Sequence, residues 1–110
     1  MMNAIVAGPD EDGVVAALDR AGVAVTEIDG LATRDVLTDA GMADADLFVL
    51  TDVRQTTAVP LAAELNEDAR MVVYDRLSLP EVLTRVTDVA VDPELIGPEM
   101  FVEELINGTG

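Results

Sequence analysis

Five short apolar runs, each followed by a turn and then a stretch with helical spacing, divide this chain from one end to the other. They are Asn3–Ala7, Val23–Ile28, Leu47–Leu50, Met71–Tyr74 and Val89–Val91. The runs are rich in valine, which suits strands covered on both faces. Between them the spacing predicts helices over residues 12–21, 34–40, 57–67, 79–86 and 98–107. Val14, Val15, Leu18 and Ala21 share one face of the first, which stops at Gly22, a natural residue to follow a helix end. With Thr57 as N-cap, Pro60 falls in a first turn, where its missing N–H costs little. Ser78-Leu79-Pro80-Glu81 has the spacing of a capping box, and Phe101, Val102, Leu105 and Ile106 form the buried side of the last helix. Such alternation is satisfied by an α/β fold: one three-layer Rossmann-like domain over residues 1–110, with a five-stranded parallel sheet between helices.

The charge restricts what this domain can do. There are 22 acidic residues against 6 basic ones, all arginine, for a net charge of −16 with no lysine. Half of the residues are hydrophobic, so a core is affordable despite the charge. Nucleic acids and anionic membranes are excluded as partners, because binding phosphate needs basic patches. No apolar run approaches bilayer length and no leader pattern is present, so a soluble, cytoplasmic protein is expected. Cysteine and histidine are absent, which removes disulfides, thiolate nucleophiles, the usual zinc sites and imidazole acid–base chemistry. Asn107-Gly108-Thr109 matches a glycosylation sequon and reads as a frayed terminus.

After the first run comes Gly8-Pro9-Asp10-Glu11-Asp12-Gly13. Gly8 and Gly13 stand where a dinucleotide-binding G-x-G-x-x-G loop has its first and third glycines. Asp10 stands where the middle glycine would let backbone approach a pyrophosphate. The plainer role for this pair is a tight turn at Gly8 and close packing of the first helix at Gly13; the functional role is residual nucleotide binding. The acids Asp10, Asp29, Asp52, Asp75 and Asp92 each follow a strand. They cap helices and build an acidic surface, or Asp10, Glu11 and Asp52 hold a divalent cation. Arg34, Arg54 and Arg76 follow three of the strands; they pair locally with Asp35, Asp52 and Asp75, or bind an anion.

Residues 30–52, GLATRDVLTDAGMADADLFVLTD, resemble the second half of the RCK (TrkA-N) domain, a regulatory module of potassium channels and transporters. Gly30, Ala32, Thr33, Leu37, Ala40, Gly41, Ala45, Asp46, Thr51 and Asp52 follow that pattern. Leu61, Ala62, Leu65, Asn66 and Val91-Asp92-Pro93-Glu94 continue it. The resemblance makes Gly8, Asp10, Gly13, Asp29, Thr51 and Asp52 the candidate cofactor-binding residues. Asp10 departs from it, as does Leu31, which replaces the aspartate of G-D-A-T. One helix and one strand are also missing between Asp29 and Gly30. Removing that edge strand changes the family's order to 2-1-3-4-5, with a switch point between the first and third strands. The composition is similar to that of halophilic archaeal proteins. The chain also resembles a small haloarchaeal family, some of whose members carry the label CTP synthetase. That chemistry calls for ATP activation and usually a glutaminase cysteine, and this chain has no cysteine, lysine or G-x-x-x-x-G-K-[ST] loop. A phosphoacceptor receiver domain shares the strand order but uses a lysine after its fifth strand, where Asp92 stands here.

The expectation is therefore a non-catalytic binding or regulatory domain. It would take a small molecule or a protein partner, with a homodimer as one form. Intact NAD is disfavoured, and a divalent cation or metal-bridged nucleotide is preferred to it. The alternatives are a nucleotide-dependent enzyme or subunit, and an interaction protein with a vestigial cleft.

Overall fold

The three inner β-runs, at 3–7, 47–50 and 70–74, become strands because their side chains divide between two apolar layers, whereas the edge run at 24–28 leaves Ala24, Thr26 and Glu27 exposed. The computed structural model describes residues 2–76 and 79–107. Strands β1 (Asn3–Ala7), β2 (Ala24–Ile28), β3 (Leu47–Leu50), β4 (Arg70–Tyr74) and β5 (Val89–Val91) alternate with helices α1 (Val14–Arg20), α2 (Arg34–Asp39), α3 (Ala58–Leu65), α4 (Glu81–Thr84) and α5 (Pro98–Asn107). A single 3₁₀ turn, Met42–Asp44, precedes β3.

All four strand pairings are parallel, in the order β2-β1-β3-β4-β5. Period-two alternation sorts the core. Ile5, Ala7, Phe48, Leu50, Met71 and Val73 pack with Leu37, Val59, Ala62 and Leu83 on the side of α2, α3 and α4. Ala4, Val6, Leu47, Val49, Val72 and Tyr74 pack with Val14, Leu18, Phe101 and Leu105 on the side of α1 and α5. Tyr74 stacks on Phe101 with ring centroids 4.2 Å apart, and its hydroxyl donates to the Ile96 carbonyl at 2.8 Å. That bond lets a phenol sit inside an apolar layer.

Boundaries move where local chemistry intervenes. The first helix starts at Val14, because Gly13 has a left-handed backbone and serves as its N-cap. Thr57 is the N-cap of α3, as its sequence suggests, with Pro60 in the first turn. The fourth helix is shorter than predicted, ending at Thr84, and Pro80 takes the cap position. Ser78, the proposed capping-box residue, lies outside the described residues, as do Gly108 and Thr109 of the sequon. Among the described residues, no helix is long and apolar enough to cross a membrane.

Candidate functional site

The C-terminal edge of the sheet brings together the loops after β1, β2 and β3, where open α/β folds bind ligands. Gly8 has φ +104°, and a Cβ there would press on the Thr51 side chain and come within 3.2 Å of the Asp52 amide nitrogen. Glycine is thus required for both conformation and space. Thr51 locks this approach: its amide donates to Ala7 O at 2.9 Å, and its hydroxyl donates to Pro9 O at 2.6 Å. Gly13 behaves differently from expectation. A Cβ at Gly13 would meet nothing within 4 Å, so the residue serves its left-handed φ of +82° and not close helix packing.

Asp10 decides the chemistry of the loop. Its Oδ1 accepts from the Val14 amide at 2.7 Å, and both carboxylate oxygens lie 3.3–3.4 Å from the Val15 amide. These are the N–H groups at the start of α1 that a dinucleotide loop offers to pyrophosphate. Here the chain's own carboxylate receives them.

The neighbouring acids are also engaged. Asp12 takes two hydrogen bonds from Arg76, at 2.7 and 3.2 Å, and Arg76 also lies 3.8 Å from Glu94. Asp52 is gripped by Arg54 through Nε at 2.8 Å and Nη2 at 3.2 Å, and it accepts the Arg54 amide at 3.0 Å. The Arg54 guanidinium therefore holds the Asp52 carboxyl below the usual carboxylate range, against a smaller opposing effect of burial. Asp75 accepts the Val53 amide at 2.9 Å, and Asp92 accepts the Glu94 amide at 2.9 Å.

Two expectations need correction. The local arginine pairings hold only at Arg54. Arg34 pairs with Glu64 on α3 at 3.0 Å instead of Asp35, and Arg76 with Asp12 instead of Asp75. Each of the three arginines thus meets a carboxylate, and they do not converge on a common anion position. The proposed cation ligands Asp10, Glu11 and Asp52 are not gathered either: among the described residues, no group of three or more acids is placed to hold a metal ion. The oxygens of Asp10 face helix amides, and those of Asp52 face Arg54.

What remains is an open cleft of about 410 Å³ between Gly8-Pro9, Ile28–Leu31 and Asp52 with Gln55. It reaches farther toward β2 than the sequence suggests. Asp29 is exposed on its wall, and Leu31 stands 71 % exposed. Gln55 supports the opposite wall by accepting the Ala32 amide at 3.0 Å. No motif in the sequence marks Gln55, because its role depends on a loop 23 residues away.

A family model matches residues 4–105. The chain belongs to DUF7126, a family of unknown function. No protein of curated function matches this DUF7126 chain. Two solved structures are similar to it in fold. One is a Burkholderia thailandensis protein described as a pilus assembly protein, with TM-score 0.70, 17 % identity and 96 % of each chain covered. The other is a pilus assembly-related protein of Burkholderia pseudomallei, with TM-score 0.67 and 15 % identity, covering 96 % of the DUF7126 chain and 87 % of that one.

Proposed function

We propose that this DUF7126 chain is a non-catalytic binding or regulatory domain, similar to a shortened RCK domain, that works in the salt-rich cytoplasm of a halophilic archaeon. The observation that carries this reading is the seat of Asp10 on the Val14 and Val15 amides. A dinucleotide would have to displace a carboxylate that belongs to the fold. It would also bring like charge to a loop that already holds Asp10, Glu11 and Asp12. Asp12, Asp52, Asp75 and Asp92 are committed to internal bonds as well, which suits scaffolding better than acid–base turnover.

The ligand position is the cleft between the loops after β1, β2 and β3. Its walls combine carboxylates with the apolar Leu31, so an uncharged or cation-bearing small molecule suits it better than a free anion. A nucleoside contacting Asp29 is the nucleotide-related form of this reading. The pilus assembly descriptions of the two structural neighbours favour a second reading, in which the domain acts by docking to a protein.

Calorimetry in 2 M KCl with adenosine, AMP and NAD discriminates these readings. The proposal expects any affinity to fall in the order adenosine, AMP, NAD. Tighter binding of NAD than of adenosine, or hydrolysis of any nucleotide supplied, would overturn it.

A further inference from the structure

The residues that end β4 and begin its loop tie together connections from across the sheet. The Tyr74 hydroxyl donates to the Ile96 carbonyl in the turn before α5. The Asp75 carboxylate accepts the Val53 amide after β3, and the Asp75 amide donates to Val91 O at the end of β5. Arg76 reaches farthest. Its Nη2 and Nη1 hold the two carboxylate oxygens of Asp12, in the loop after β1, at 2.7 and 3.2 Å. Its Nε lies 3.8 Å from Glu94, too far for a hydrogen bond. Arg76 thus stands between two carboxylates and is committed to one of them. Release of Asp12 frees the Nη groups, and Nε with Nη2 forms a second fork that fits a carboxylate.

Each carboxylate belongs to a segment that passes movement on. Asp12 follows Gly8 and Pro9, which line the cleft. Glu94 lies in one hydrogen-bonded turn that leads into α5. The Asp92 side chain accepts the Glu94 amide at 2.9 Å, and the Asp92 carbonyl accepts the Leu95 and Ile96 amides at 2.9 and 3.1 Å. The same turn carries Leu95, 83 % exposed, so a shift there changes the apolar surface displayed beside α5.

We propose that Arg76 is a two-position latch: it holds Asp12 while the loop after β1 keeps this position, and it transfers to Glu94 when that loop moves, so that the state of the cleft reaches the turn before α5. The link to the cleft rests on the binding reading above; the latch does not, and its test uses no ligand. Exposed ion pairs contribute little to stability, so the test reads amide chemical shifts of the isotope-labelled protein and not its melting. In 2 M KCl, which screens the general field of the acids, Asp12→Ala is compared with Glu11→Ala. Glu11 belongs to the same loop and acts on Arg76 only through space. The amides of Glu94, Leu95 and Ile96 should shift about threefold more for Asp12→Ala than for Glu11→Ala, and that response should fall about threefold in an Arg76→Gln background. Shifts no larger for Asp12→Ala than for Glu11→Ala, or an unchanged response in the Arg76→Gln background, would each overturn the proposal. If Arg76→Gln does not fold, Arg76→Lys, which keeps the charge but lacks the fork, serves as the background under the same criteria.

Discussion

At the residue scale, Asp10 is the side chain that takes up the start of α1. The Asp10 carboxylate satisfies amides that would otherwise be open at the start of α1. Asp10→Ala should cost about 1 kcal/mol in chemical denaturation at high KCl, as loss of a cap does, while Asp10→Asn should retain most of that stability because an amide oxygen still accepts. Tyr74 gives a pH signature. Burial, with Asp12 adding to it, raises the phenol above its ordinary value of about 10. The native state therefore keeps its proton where the unfolded state has released it. This stabilisation is complete below about pH 10 and is lost as pH rises toward the native value. Tyr74 is the one tyrosine in the chain, so phenolate absorbance reports it directly. Tyr74→Phe should remove the alkaline loss and lower the neutral-pH stability by about 1 kcal/mol, because the Ile96 carbonyl loses its donor.

At the scale of elements, stability at the N-terminal edge of the sheet depends on side chains that reach across loops. Asn66, just after α3, donates to the carbonyls of Met42, Ala43 and Ala45 at 2.9–3.1 Å and accepts the amides of Asp68 and Ala69. It ties the 3₁₀ turn, the end of α3 and the start of β4 together. Asn66→Ala should destabilise the protein by about 2–3 kcal/mol, since several part-buried backbone groups lose their partner at once. A melt within a few tenths of a kcal/mol of wild type would contradict this. The strands and the end of α1 at Gly22 were readable from the sequence, because apolar periodicity and glycine punctuation are local signals, whereas the strand order followed only from the resemblance to the RCK domain with its edge strand removed. The pairing of Arg76 with Asp12 was not, since the two are 64 residues apart and meet only when β4 lies two strands from β1. The same limit hid Gln55 and the cross-strand use of Asp46, which accepts the Asn3 amide at 2.7 Å. Asn66 was visible only as part of a family pattern, with no sign of the five bonds it makes. The Asp10 cap was partly legible: the loop acids were expected to occupy the start of the first helix and repel phosphate, but that Asp10 alone takes the Val14 and Val15 amides needed the fold.

At the scale of the molecule, −16 charges sit on a body of 31 × 30 × 26 Å. At about 0.01 M salt the Debye length is about 30 Å, so each acid feels nearly all the others; at about 1 M it is about 3 Å and only neighbours interact. Folding stability should therefore climb steeply with KCl, and a thermal midpoint that stays level from about 0.1 to about 3 M would refute the halophilic reading. High salt also removes general repulsion between the protein and an anionic ligand, which leaves the local geometry of the loop to decide binding. The most direct test of that geometry is calorimetry at 2 M KCl with NAD alone, magnesium alone and the two together, on wild type and on Asp10→Gly. With the start of α1 filled by Asp10, wild type should show no micromolar binding of NAD, and Asp10→Gly should bind it more tightly than wild type does. Micromolar binding of metal-free NAD to the wild-type protein would contradict the claim that its own carboxylate occupies the phosphate position.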